Sequence, residues 1–398
     1  MSFQQALSGL NAAARNLDVL GHNIANANTT GMKAQRTEFQ EVYASAAGIV
    51  GGVSSGLGVQ VGGVSQQFTQ GNLSITGNDL DLAINGSGFY QLQLTDGSTA
   101  YTRAGAFKLD RSGNIVDING SQLMGYTTDA VGNRTSATLI PLQLPTATPI
   151  AARQTTTLET SFTLDATAPV AASATPPTPV TTYGTSITAF DSQGIEVPVG
   201  IYFSKTANNT WDVYTSVNGS TPTLHTNVTF AADGSLNAST IPPLTLTSQN
   251  GSFNVNIDLG TTTQLNSNFG VDKLEQDGYT AGTLTGISIG GNGVITATYS
   301  NGQTQAAGQV ALANFRNVQG LATSSSSYWS ETFESGQPLM GAPGEGQFGV
   351  LRSGTLEESN VDITAELVNM MTAQRAYQAN AQTIKTQDQV MSTLVNLR

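Results

Sequence analysis

Residues 2–28 read SFQQALSGLNAAARNLDVLGHNIANAN, and residues 363–398 read ITAELVNMMTAQRAYQANAQTIKTQDQVMSTLVNLR. In the first stretch Phe3, Leu7, Leu10, Ala14, Leu17 and Ile24 fall on alternating three- and four-residue steps, with Gly21 occupying one step. In the second, Ile363, Leu367, Met370, Tyr377, Ala381, Ile384, Met391 and Val395 do the same, with Gln374 and Asp388 on the stripe. This period predicts two helices, each with a narrow apolar seam of the coiled-coil kind rather than a broad globular face. The first helix should run from about Ser2 to about Asn26, because the Asn/Thr/Gly cluster that follows satisfies its own backbone locally. Roughly 300 residues of β-rich sequence separate the two. The expected fold is therefore α+β: coiled-coil-like N- and C-terminal helices that pair, with two nested β-rich domains between them.

Burial of the large apolar residues of the first helix contributes about 1.5–3 kcal/mol each. Ordering its backbone costs about 1–2 kcal/mol per residue, and isolated helices are marginal even after their hydrogen bonds are counted. Such a helix needs its partner, and neighbouring molecules, to hold it.

The length of 398 residues exceeds one ordinary core and suggests two to four domains. Charge is sparse at 11%, and the formal net charge is −12. That charge is uneven. Residues 1–44 carry three basic and three acidic side chains, residues 351–398 four and five, and the middle eight and nineteen. Near-neutral ends suit close packing against copies of themselves, while an acidic body stays in solution and repels nucleic acid. No basic patch interleaved with aromatics points to DNA or RNA. There are no cysteines, which removes disulfides, thiolate nucleophiles and zinc–thiolate sites. The N-terminus lacks a basic region followed by an apolar run, so no cleaved signal peptide is expected. No apolar run is long enough to insert into a membrane.

Residues 38–43 read either as a short helix or as an extended arm, and the glycine-rich 47–63 either as a link or as strands packed on a neighbour. Regular β signals begin near Gln70. Leu80, Leu82 and Ile84 alternate with Asp81, Ala83 and Asn85, which predicts a half-buried strand. Tight turns are expected around Asp110–Asn114 and at Asn119-Gly120. Pro141, Pro145 and Pro149 mark a boundary. Beyond it, VPVGIYFSKTANNTWDVYTSVNG (197–219) predicts strand, turn, strand and a closing Asn218-Gly219 turn. Residues 167–182 read as a surface loop, and residues 324–349 as an irregular stretch before the last helix.

Candidate chemistry is thin. The two histidines, His22 and His225, fall in different predicted domains, which argues against a histidine triad or a multi-histidine metal site. Asp79 and Asp81 share a strand face, but Asp81 points outward. Residues 110–114, DRSGN, lack the span and terminal glutamate of a calcium loop and fit a hairpin turn. Glu357 and Glu358 read as dipole-favourable residues ahead of the last helix. No cofactor, metal or catalytic residue is expected.

The opening stretch ALSGLNAAARNLDVLGHNIANANTTGMKAQRTEF (6–39) resembles that of bacterial flagellar axial proteins of the rod and hook type. The motif rests on Asn23, Ile24, Ala25, Asn26, Asn28, Thr29, Gly31 and Lys33. QGNLSITGNDLDLAINGSGFY (70–90) and YTRAGAFKLDRSGNIVDINGSQLMGY (101–126) are similar to the next two blocks of that family, and residues 354–398 to its C-terminal block. Met32 and Met371 are small apolar departures. The middle segments resemble the outer domain of the family's hook branch; rod members are shorter and lack it.

The resemblance implies a non-enzymatic subunit of a flexible helical tube that joins rod to filament and transmits torque. Residues 1–26 and 363–398 would be the paired helices of its inner core, and 27–70 and 350–362 connecting arms. Residues 71–145 and 281–349 would form the tube wall, and 146–280 the outer surface. Subunit packing would fall to Phe3, Leu7, Leu10, Leu17, Ile24, Leu367, Met370, Tyr377, Ile384 and Met391. Implied partners are copies of the chain, a distal rod protein, a hook cap protein, a hook–filament junction protein and the flagellar type III export apparatus, with no nucleic acid and no membrane insertion. The implied location is the extracellular flagellar hook. A distal rod subunit is the alternative within the family, and an extracellular adhesin with a coiled-coil stalk the alternative outside it.

Overall fold

The computed structural model describes residues 2–43, 56–146, 149–172, 178–237, 241–324 and 327–396. Two long helices, α1 (Ser2–Ala25) and α2 (Ile363–Asn396), stand at the ends of a chain whose other regular structure is almost wholly strand. α1 stops where the Asn26 side chain donates to the His22 carbonyl at 2.9 Å, an intrinsic stop signal. α2 starts at Asp362, whose Oδ1 accepts from the backbone N–H of Thr364 at 2.9 Å and of Ala365 at 3.2 Å, an N-cap. Glu357 and Glu358 lie ahead of this start, and Glu357 belongs to the strand Thr355–Glu357.

The two helices pack on one another, and α1 also packs on an antiparallel hairpin of β1 (Gln35–Tyr43) and β2 (Gly56–Gln66). Of the two readings of residues 38–43, the extended one holds; the expected link or strands at 47–63 lie outside the described residues up to position 55. Small side chains set the approach. Ala6, Ala12, Ala13 and Ala373 are buried, and a Cβ at Gly9 would lie 2.8 Å from Nδ2 of Asn380 on α2. Ser8 Oγ accepts from Val59 N–H at 3.3 Å, fixing β2 against α1.

The chain divides into two compact units: residues 1–145, 287–297 and 305–398, and residues 146–286 and 298–304. In the first, the strand Gln122–Thr128 pairs with Phe89–Gln93, Arg134–Pro141 and Thr304–Val310. Leu82, Ile84, Leu92, Phe107, Leu123 and Leu312 fill its core. A second cluster stacks Phe68, Phe89, Tyr101, Phe315 and Trp329 edge to face. The strand expected to be half-buried, Leu82–Asn85, is covered on both faces, since Ala83 is as buried as Leu82 and Ile84. Alternation with a small neutral residue does not separate one buried face from two. The supposedly irregular 324–349 contains the strands Tyr328–Ser330 and Leu339–Gly341.

In the second unit, four strands from Tyr183 to Thr229 form an antiparallel sheet. Five others, built around Thr157–Asp165, form a mixed sheet. Both sheets contribute to one core, with Phe162 edge-on to Phe203 at 4.8 Å and Trp211 fully buried. Asn209, Asn218 and Gly219 adopt positive φ in the two predicted turns, which is why Asn and Gly occupy them.

Candidate functional site: the clasp between the two ends

Residues 23–33 form a joint. Asn23 is fully buried at the end of α1. Its Nδ2 donates to the Gln35 carbonyl at 2.7 Å and its Oδ1 accepts from Gln35 N–H at 2.9 Å, so the amide acts as a strand partner for β1. The same Nδ2 lies 3.2 Å from Oε1 of Glu366 in the first turn of α2. Thr29 Oγ1 reaches Asn26 Oδ1 at 3.4 Å, while Ala25 and Asn28 are exposed. Gly31 has φ +70°, and a Cβ there would lie 2.4 Å from Ala104 N. No other residue fits. Its N–H donates to the Glu357 carbonyl at 2.8 Å.

Lys33 and Glu357 are wholly buried and paired at 2.6 Å. Arg103 reaches the other carboxylate oxygen at 3.2 Å. Lys33 Nζ also donates to the Thr69 carbonyl at 2.8 Å, Gly71 N–H to Glu357 at 3.0 Å, and Arg103 to the Gly86 carbonyl at 2.8 Å. Arg103 lies over the Phe89 ring, 5.4 Å from its centre. Asn360 completes the set, accepting from Ala34 N–H at 2.7 Å and donating to the Gln67 carbonyl at 2.8 Å. Met32 is buried with Ser359 Oγ 3.4 Å from its sulfur.

One carboxylate therefore serves two cations in a dry site. Burial pulls the Lys33 ammonium below its ordinary range, against the raising effect of Glu357, and Arg103 pulls it further down. Burial pushes the nearby Tyr90 hydroxyl well up. Chemically the arrangement is a tie: Glu357 gathers segments from positions 31–33, 71 and 103 and holds both chain ends to the first unit.

Glu357 is the residue that sequence reasoning misassigned. It lies in the strand Thr355–Glu357, opposite Leu73, and not in the approach to a helix. The available signal was Lys33, an isolated charge between apolar Met32 and Ala34; no spacing rule names a partner 324 positions away.

The seam residues are distributed differently. Leu10, Leu17, Ile24, Met370 and Ile384 are half-buried, and Phe3, Leu7, Leu367, Tyr377 and Met391 exposed. Within one molecule the small-residue line, with Leu20, supplies the buried apolar positions of α1, and half of these ten stripe residues are left uncovered.

Comparison with known proteins covers most of the chain. Residues 3–33 match the model of the flagella basal body rod protein, 83–167 the flagellar hook protein FlgE/F/G D1 domain, 163–279 the flagellar basal body protein FlaE D2 domain, and 352–397 the flagellar basal body rod FlgEFG protein C-terminal region. The chain is 42% identical over 415 residues to the flagellar hook protein FlgE of Salmonella typhimurium strain LT2, covering 100% of both chains. It is 41% identical over 419 residues to FlgE of Escherichia coli strain K12, again covering 100% of both. Its fold resembles the crystal structure of Helicobacter pylori flagellar hook protein FlgE2, with a TM-score of 0.57 and 16% identity, covering 71% of this chain and 100% of that one.

Proposed function

The chain belongs to the flagellar hook protein family, and from that premise we propose how its parts serve a structural subunit of the bacterial flagellar hook. Full-length identity of 42% to a hook protein is the observation that carries the reading. The subunit polymerises with its own copies into a helical tube that couples rod to filament and passes torque through a bend.

In this reading the apolar stripe of α1 and α2 is the face that neighbouring copies cover. Its support is exposure: Phe3, Leu7, Leu367 and Met391 stay uncovered in the single chain although they lie on regular helical steps. Burial of each is worth about 1.5–3 kcal/mol, repeated at every subunit. The first β-domain makes the tube wall, and the second, an insertion into it, the outer surface. The clasp gives each subunit a fixed angle between its helices and its wall, so that strain in a bending tube passes between subunits. A distal rod protein, a hook cap protein, a hook–filament junction protein and the type III export apparatus are the further partners. The location is the extracellular hook.

Electron microscopy of the purified, concentrated protein tests this. Short curved tubes are expected. Straight, rigid tubes would indicate a rod subunit, and a chain that stays monomeric at high concentration would defeat the reading.

A further inference from the structure

Phe333 is the most solvent-exposed large apolar side chain among the described residues, at 101% relative accessibility. In the second unit the corresponding maximum is Leu224 at 58%. Turn tips normally carry small polar residues, so an entire phenyl ring at this place has no use within its own fold.

The turn beneath it fixes the backbone that carries the ring. Thr332 Oγ1 donates to the Gly320 carbonyl at 2.5 Å and accepts from the N–H groups of Glu334 and Ser335, each at 3.2 Å. Ser335 Oγ accepts from Thr332 N–H at 2.9 Å, and Asn317 Nδ2 donates to the Glu334 carbonyl at 3.2 Å. Gly320 permits this approach, since a Cβ there would lie 2.5 Å from Ser335 N. With the backbone already fixed, burial costs only the rotation of the ring itself, which favours it as a contact anchor.

We propose that Phe333 is an assembly knob that buries itself against a second copy of this chain. The proposal rests on the polymer reading above, and that reading selects the occupant. In a helical lattice a protruding side chain meets the same recess of the next copy at every step, the heterologous contact that generates open polymers. The flanking carboxylates of Glu331 and Glu334 require a recess that is apolar at its floor and carries donors or basic groups at its rim.

The experiment compares Phe333→Ser and Phe333→Leu with the parent for the critical concentration of tube assembly and for the thermal midpoint of the monomer. Loss of the phenyl transfer term predicts a roughly 30-fold higher critical concentration for Phe333→Ser and only a few-fold change for Phe333→Leu. Monomer midpoints should be unchanged, because the ring touches nothing in its own chain. A Phe333→Cys variant, in a chain without other cysteines, should react with maleimide at least 10-fold more slowly in tubes than as monomer. Parental assembly by Phe333→Ser, or undiminished labelling in tubes, would overturn the knob while leaving the polymer reading intact. Failure of the parent itself to form tubes would remove both.

Discussion

Glu357→Gln keeps the shape of the clasp and removes its single negative charge. At an effective dielectric of about 20, attractions at the observed 2.6 and 3.2 Å amount to about 6 and 5 kcal/mol. Most of this offsets the cost of drying three charges, so the net loss expected is about 3–5 kcal/mol, the usual result of orphaning a buried ion. Two cations would then face a neutral amide whose N–H₂ has no acceptor role toward Lys33. Lys33→Met should be milder, about 1.5–3 kcal/mol, the value of one charged hydrogen bond, because Glu357 keeps Arg103 and Gly71 N–H. Adding Lys33→Met to Glu357→Gln should restore part of the stability, since it removes one orphaned cation. The assay is denaturant unfolding followed by fluorescence. The two tryptophans, Trp211 and Trp329, fall in different units, so a Trp211→Phe background leaves Trp329 to report on the first unit alone. If Glu357→Gln is no more costly than Lys33→Met, or if the double variant is the least stable of the three, the charge balance of the clasp is not what holds it.

Gly9→Ala should cost about 1 kcal/mol through overpacking against Asn380; adding Asn380→Ala should recover it, with the thermal midpoint of the helical circular dichroism signal as readout. Leu17→Asp puts a carboxylate on the half-buried stripe of α1 and should abolish tube formation, while Asp18→Leu, at an exposed position, should not; sedimentation of assembled protein separates them. In the second unit, burial pushes the Asp191 carboxyl up, but N–H donors from Ile195 and Gln193 and side-chain donors from Ser248 and Asn250 hold it below its ordinary value. A depressed carboxylate contributes stability that is present above its unfolded pKa, about 3.9, and is lost as pH falls through the lower folded value. Asp191→Asn should therefore flatten the acid limb of the stability curve read from Trp211, and an unchanged limb would show that this carboxylate is not a source of it.

Helix and turn chemistry was legible in the chain because it is local. The steps of three and four residues locate α1 and α2, and Asn218-Gly219 announces its turn by residue type. Residues 38–43 stayed ambiguous because Phe39, Val42 and Tyr43 fit either period, and only pairing with β2 resolves them. Tyr328–Ser330 escaped notice because serines surround it; its strand character comes from docking on Thr99–Thr102. The seam was readable as a stripe, but Ala6, Ala12, Ala13 and Ala373, which are buried in one molecule, carry little hydrophobic signal. Close approach, which selects them, is a tertiary property. Glu357 was beyond reach for the same reason: an ion pair has no period, and its members can sit anywhere in the chain.

That separation has a consequence in time. Lys33 lies 324 positions from Glu357, and Asn23 lies 343 from Glu366. Closing a longer loop adds only slowly to the entropic cost, so the distance weighs more on rate than on stability. A chain that emerges from its N-terminal end presents Lys33 early and Glu357 almost last. Throughout that interval the N-terminal joint has no anion to dock on. The chain thus carries its own delay: the joint closes only when nearly all of it has arrived.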